Sequence, residues 1–346
     1  MCATDGSPSA SLPRPADGPA VDPIHLEAVD EVVITTLMDN VFDALLAPGP
    51  GMQRASFGAG PTAAPQFEGG STEAGLIAEH GFAALVSVRR GDRTSTVLFD
   101  TGISPTGMTL NAERLGVDWS GVQGVVLSHG HFDHAGGFAG LAKATRSLPM
   151  TVHPGIWQHR RLAPPNVEPT LFPTLSRKAL EGEGFEVVER RQPSLLLDGC
   201  VLITGEVDRV TEHERGMPPL HQALVDGDWQ HDPLILDDQA LVVNVRDKGL
   251  VIVTGCGHAG AINIVRHAMR LTGVDRLHGL LGGLHLGGPW FEPVLAPTVS
   301  ALQELAPSLL VPGHCTGWKA QHAFAAALPD AWVPGSVGTR YSVAAS

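Results

Sequence analysis

Residues 125–137 read Val-Val-Leu-Ser-His-Gly-His-Phe-Asp-His-Ala-Gly-Gly, so an apolar run is followed at once by four metal-binding side chains, His129, His131, Asp133 and His134. The run reads as a buried strand that ends at Ser128. In an extended turn, positions i and i+2 point the same way, so His129 and His131 can grip one ion. Asp133 and His134, at the turn into a helix, then face a second. Imidazole and carboxylate donors suit Zn²⁺, with Mn²⁺ and Fe²⁺ as alternatives. Two ions roughly 3.5–4 Å apart can share a bridging hydroxide. A polar turn whose histidines merely bond to backbone accounts poorly for four donors packed this closely beside small residues.

Three later strand ends repeat the theme. Val-Ile-Val-Thr-Gly-Cys-Gly-His places Cys256 and His258 after a strand, Leu-Leu-Gly-Gly-Leu-His places His285, and Leu-Leu-Val-Pro-Gly-His-Cys places His314 and Cys315. His258 and His314, each in a Gly-flanked turn, are the best further ligands. Cys256 is either a ligand or a buried thiol, since unpaired Cys is among the most buried residue types. His285 reads as a ligand, a substrate partner or a strand cap. His80 and Asn40 are candidates for substrate contact, with structural roles as the alternative. Glu206 in Thr-Gly-Glu is a general base or a surface acid. Asp133, His285 and Glu206 are thus the candidates for direct catalysis. Of the 16 histidines, His213, His221, His231 and His278 lie in polar or irregular context and are expected to face solvent.

Short β-branched runs ending in Gly, Ser, Thr or Asp predict strands at Val32–Leu37, Ala83–Val88, Thr96–Phe99, Gly124–Leu127, Thr151–His153, Val201–Thr204, Leu241–Val245, Leu250–Val253, Gly279–Leu281 and Leu309–Val311. Helices are predicted over Gly136–Arg146, Ala261–Leu271, Thr298–Leu305 and Lys319–Leu328. The pair Leu241–Val245 and Leu250–Val253 should form a hairpin, so a purely parallel βαβ fold fits poorly. An α/β architecture of mixed sheets with helices outside fits better. Residues 1–30 read as a flexible tail and 31–346 as a single domain. The Pro- and Gly-rich stretch 46–75 is expected to be a lid.

Charge and ends narrow the function. With 23 basic and 36 acidic side chains the formal charge is −13, the opposite of a nucleic-acid footprint. Cys2, Cys200, Cys256 and Cys315 form no C-x-x-C pair, so neither a disulfide framework nor a zinc ribbon is indicated, and a reducing cytoplasm is the default. No apolar run approaches the roughly 18 residues of a membrane span. The expected partner is a small molecule, with neither nucleic acid nor membrane.

His129-x-His131-x-Asp133-His134 resembles the signature of the metallo-β-lactamase superfamily. Asp100, in Leu-Phe-Asp-Thr-Gly, matches that superfamily's earlier motif, an Asp that orients a metal-binding histidine. The blocks Leu37-Met-Asp-Asn40, Ala78-Glu-His-Gly81, Asp237-Asp-Gln-Ala240, Thr254-Gly-Cys-Gly-His-Ala-Gly260, Gly282-Gly-Leu-His-Leu286 and Pro312-Gly-His-Cys-Thr-Gly317 are similar to one branch of it. That branch contains the archaeal dihydropterin-ribofuranosylaminobenzene phosphate synthases. The resemblance spans about residues 31–343 and implies a four-layer αβ/βα sandwich with metals at one edge between the sheets. The superfamily ordinarily has a metal-bridging Asp where Cys256 stands, with His258 two residues on. That departure leaves one ion, or a Cys/His variant of the second site, open.

Three functions follow. A metal-dependent hydrolase would lower the pKa of bound water from about 15.7 to about 7 and attack an ester, lactone or phosphoester. A pterin transferase, as the branch resemblance implies, would join a pterin pyrophosphate to an aminobenzene nucleophile, although an anionic substrate sits awkwardly with the negative chain unless metal charge dominates locally. A non-catalytic metal-binding protein is the third, disfavoured by the intact cluster. A flavodiiron oxidoreductase would carry Glu at His131, and a tRNA-processing nuclease would need basic surface.

Overall fold

A computed structural model describes residues 22–58 and 60–346. Two mixed sheets face each other. The first has eight strands in the order Glu186–Glu189, Pro149–Val152, Val122–Val126, Arg93–Phe99, Ala83–Arg90, Glu31–Met38, Arg340–Ala344 and Met52–Gln53. The second runs Ser194–Leu196, Val201–Ile203, Ala240–Val245, Gly249–Thr254, Leu277–Gly283 and Leu309–Gly313, with Ala28–Val29 pairing parallel to Ala240–Val245.

Alternation along the strands explains the layers. In the second sheet Leu241, Val243, Val251, Val253, Leu281 and Val311 point to Val32, Ile34, Val86, Val97, Phe99 and Val126 of the first, forming the inter-sheet core. Their neighbours Val242, Ile252, Leu280 and Leu310 point the other way, onto Ile262, Val265, Leu302 and Phe324 of three helices. Helices Gly107–Arg114, Phe138–Ala144 and Arg177–Gly182 cover the outer face of the first sheet through Met108, Leu141 and Leu180. A period of two with both faces apolar is what a sheet buried on both sides requires. The result is the expected four-layer αβ/βα sandwich.

All ten predicted strands are present, and the Leu241–Leu250 hairpin is antiparallel as expected. The helix expected over Gly136–Arg146 is present as Phe138–Ala144, and a separate short helix, Phe132–Ala135, precedes it. Both glycines sit hard against other backbone, Gly136 on Ile103 and Gly137 on Thr101, so the chain there has no room for a side chain. The helix expected from Thr298 begins earlier, at Glu292, with Pro293 in its first turn.

Of the expected tail, residues 1–21 lie outside the described residues. Residues 22–30 depart from that expectation: the Ile24 N–H donates to Leu271 O (2.7 Å), and Ala28–Val29 forms a strand. Within the stretch expected as a lid, Met52–Gln53 pairs with Arg340 and Tyr341, and Pro61–Ala63 pairs with Ser71–Glu73 as a hairpin. A small four-stranded sheet, Thr170–Leu171, Arg160–Leu162, His221–Val225 and Asp228–His231, rises beside the strand ends. No helix among the described residues is long and apolar enough to cross a membrane.

Candidate metal centre

The strand ends of both sheets deliver their polar side chains to one place. Val122–Val126 leads to His129 and His131, and the short helix Phe132–Ala135 carries Asp133 and His134. Gly249–Thr254 leads to Cys256 and His258, and Leu309–Gly313 leads to His314. All seven are buried.

Two groups of donors result. His129 Nε2, His131 Nδ1 and His258 Nε2 lie 2.9, 3.1 and 3.2 Å from one another. Asp133, His134, Cys256 and His314 bring one donor atom each within 4.8 Å of one another, and Cys256 also lies within that distance of His129 and His258. His314 Nε2 stands 3.3 Å from Asp133 Oδ2, and His134 Nε2 stands 3.1 Å from Cys256 Sγ.

The donors fit a divalent cation. Burial holds the His129, His131 and His258 rings well below the usual imidazole pKa, so they are neutral and present lone pairs. Three neutral ring nitrogens facing one point repel one another unless protons or a cation sit between them. His314 Nε2 is buried, and Asp133 Oδ2 at 3.3 Å lies outside hydrogen-bonding geometry, as two ligands of one ion would. For Asp133, burial would raise the pKa, but the His134 and His314 rings outweigh it and hold the carboxyl well below its usual range. An ionised carboxylate at this position is suited to a metal ligand.

Buried aspartates hold the ligand loops. Asp100 accepts from the Ser128 N–H and hydroxyl, both at 2.7 Å, and its Oδ2 is 2.7 Å from His134 Nδ1. Gly255 makes this approach feasible, since a Cβ there would collide with Ser128 Oγ and Asp100 Oδ2. Asp237 accepts from the Gly130 N–H (2.8 Å) and is ion-paired with buried Arg160. Asp238 accepts from the Ala259 N–H (2.8 Å), and Asp39 from the His314 N–H (2.8 Å). Asp100, His285 and His314 all have left-handed backbone, φ 60°, 43° and 46°, a strain that non-glycine residues keep only where the surroundings impose it.

The other candidates divide. Asn40 Nδ2 lies 3.2 Å from His80 Nδ1 and donates to His314 O at 3.0 Å. The exposed His80 ring reaches Asp133 Oδ2 at 3.8 Å. His285 stacks at 4.2 Å between ring centroids on His258, and its donor lies within 4.8 Å of Cys256 and Cys315. Glu206 is not brought to the donors: it is ion-paired with Arg191 and bonded to His153 Nε2 at 3.2 Å, so the general-base reading has no geometric support. His221, expected to face solvent, is buried with its Nε2 3.2 Å from His131 Nε2, because the small sheet folds it over the cluster beside Phe172. His231 is exposed as expected, while His213 and His278 are half-buried.

Two cavities open beside the donors. One, of about 480 Å³, has His258 and His285 in its wall together with Leu284, Leu286, Trp290 and Phe291. The other, of about 430 Å³, is lined by Asn40, His80, His314, Cys315, Trp318 and Gln321.

A family model described as the metallo-beta-lactamase superfamily matches residues 81–156, which hold Asp100 and the whole His129–His134 cluster. That stretch of the chain is therefore similar to the metallo-β-lactamase superfamily. A 7,8-dihydropterin-6-methyl-4-(beta-D-ribofuranosyl)-aminobenzene-5'-phosphate synthase of Methanocaldococcus jannaschii is 28% identical over 255 residues, covering 71% of this chain and 84% of the relative. An uncharacterized protein of the same organism is 28% identical over 254 residues, covering 71% and 87%. Among solved structures, a metal-dependent hydrolase of the beta-lactamase superfamily superposes with a TM-score of 0.67 at 24% identity, over 91% of this chain and all of that one. That likeness shows the sandwich fold.

Proposed function

We propose that this chain is a metal-dependent enzyme of the metallo-β-lactamase superfamily that hydrolyses a small molecule at an ester, lactone or phosphoester bond. The arrangement of donors in two adjoining groups carries the reading: His129, His131 and His258 would hold one ion, and Asp133, His134, Cys256 and His314 a second. The thiol and imidazoles favour zinc over manganese or iron. When bound, such ions polarise the scissile group and make water acidic enough to ionise near neutral pH.

The rest falls to the chain. Asp100 fixes the His134 ring through Nδ1 and leaves Nε2 for the ion. Asp237, Asp238 and Asp39 keep the three loops from shifting. His221 and Phe172 pack over His131 and limit water there. His80 is 64% exposed and stands 3.8 Å from Asp133 Oδ2, so its ring is placed to meet substrate beside the donors. Asn40 sets its orientation.

Group transfer from a pterin pyrophosphate to an aminobenzene nucleophile is the second reading. The pair of cavities on either side of the donors supports it, since two reactants need two berths, and the name of the archaeal relative agrees with it.

The experiment is a turnover panel of lactones, phosphoesters and a dihydropterin pyrophosphate, the last with and without an aminobenzene nucleophile, using zinc-loaded and chelator-stripped protein. Hydrolysis predicts metal-dependent product without the nucleophile. Strict dependence on the nucleophile would replace hydrolysis by transfer, and full activity after metal removal would sink both.

A further inference from the structure

Three neighbouring strands of the second sheet end alike. Gly249–Thr254, Leu277–Gly283 and Leu309–Gly313 run parallel side by side, and two residues beyond their ends stand Cys256, His285 and Cys315. Cys256 and Cys315 follow the outer two strands, whose backbones lie about 9–10 Å apart at the usual spacing. Their sulfurs nevertheless come within 4.8 Å of each other, and the Cys315 thiol donates to Cys256 O at 3.4 Å. The middle strand makes room for this. A Cβ on Gly283 would fall 2.8 Å from Cys315 Sγ and 3.0 Å from Cys256 Cα, so a glycine there lets the two cysteine loops lean together over it.

The two thiols have different standing at the metal centre. Cys256 Sγ is 3.1 Å from His134 Nε2 and falls in the group with Asp133 and His314, whereas Cys315 is outside both groups that hold the histidine cluster. With Cys256 engaged there, Cys315 and His285 are too few to hold an ion of their own. Two thiols this close have another chemistry, because a sulfenic acid formed on one condenses with the other. Cys315 is the less buried of the two, at the wall of the cavity beside His80, while Cys256 is 2% exposed.

We propose that Cys256 and Cys315 are an oxidisable pair that closes to a disulfide when the metal-free chain meets hydrogen peroxide. The O–O bond breaks as the Cys315 sulfur takes one oxygen, and the other leaves as water. The Cys256 sulfur then forms the S–S bond and expels the first oxygen as a second water. The two thiols together give up two electrons and two protons, and the peroxide takes them. The bond draws the sulfurs to about 2.05 Å and withdraws Cys256 from His134. Oxidation thus bars an ion from the second donor group until a thiol reductant reopens the bond. That consequence rests on Cys256 being a ligand; the disulfide itself does not.

The test is peptide mapping without reduction of chelator-stripped, full-length protein after hydrogen peroxide, followed by zinc analysis. A linked pair of peptides carrying Cys256 and Cys315 should appear, should vanish with dithiothreitol, and should be absent from Cys315→Ser. Oxidised parent should take up about one zinc per chain fewer than reduced parent, dithiothreitol should restore it, and untreated Cys315→Ser should match the reduced parent. Absence of the Cys256–Cys315 link would overturn the proposal. So would a zinc deficit in folded, untreated Cys315→Ser, which would make Cys315 a ligand in its own right. Linkage with zinc uptake unchanged would uphold the disulfide and remove Cys256 from the second donor group, so a failure of the pair and a failure of the ligand reading are told apart.

Discussion

Asp237 and Asp238 are neighbours in sequence and hold different loops: Asp237 accepts from Gly130 between His129 and His131, and Asp238 from Ala259 next to His258. One dipeptide therefore sets the spacing of the three histidines whose nitrogens converge. The Gln239 amide completes the latch, donating from its side chain to Leu127 O at 3.0 Å.

The Asp237 carboxylate gives this latch a pH dependence. Burial would raise its pKa, but Arg160 outweighs burial and brings it down to about 2, from an ordinary 3.8. A depressed carboxylate contributes stability that is present above the unfolded value and is lost as pH falls through the folded one. Metal-free protein should lose on the order of 2 kcal/mol between about pH 4 and pH 2 from this group. Urea unfolding across that range should show the loss in the parent and a smaller slope in Asp237→Asn, which starts from lower stability because Arg160 loses its buried counter-charge. Equal slopes would refute the assignment.

Asp100 should act through the metal site more than through stability. Replacing it by Asn leaves a hydrogen-bonding group of the same shape but removes the charge that fixes the His134 tautomer. Zinc affinity measured against a chromophoric chelator should fall about 10- to 100-fold. Unchanged affinity would mean that the 2.7 Å contact to His134 is structural only.

His258 and His314 belong to different donor groups, so their losses should differ in kind. His258→Ala should cost the ion shared with His129 and His131, and His314→Ala the ion shared with Asp133, His134 and Cys256. Metal analysis should give about one ion per chain for each variant against about two for the parent. A parent that binds a single ion, removed by either substitution, would show that the two groups form one site.

Glu214 offers a control outside the two donor groups. Its carboxylate accepts from the N–H groups of Ile262 and Asn263, both at 2.8 Å, at the start of helix Ala261–Thr272. Glu214→Ala should lower unfolding free energy by about 1–2 kcal/mol while zinc content stays at the parental value. Loss of zinc in a folded variant would place this helix within the metal site's support.

How far the sequence leads depends on range. The ten strands were legible because their apolar runs are local, and the His129–His134 cluster because four donors fall within one turn. His258 and His314 could be nominated from Gly-flanked strand ends. What escaped is what only folding brings together. His221 lies 90 positions from His131 and no local pattern marks it. Glu206 looked free in sequence because Arg191 and His153 reach it only across the fold. The strand Arg340–Ala344 closes against Glu31–Met38 from the far end of the chain. Asp39, Asp237 and Asp238 lie within blocks that carry the family resemblance, but their task, holding a loop by one backbone N–H, has no sequence signature beyond the carboxylate itself.

The donors come from strand ends on opposite sides of the inter-sheet core. His129, His131, Asp133 and His134 follow the first sheet, while Cys256, His258 and His314 follow the second. An ion that binds both sets is a rivet between two layers otherwise joined by apolar packing, and its binding free energy adds to the cohesion of the sandwich. Neither half of the chain can hold it alone, so a loaded centre also certifies that the two halves have met in register.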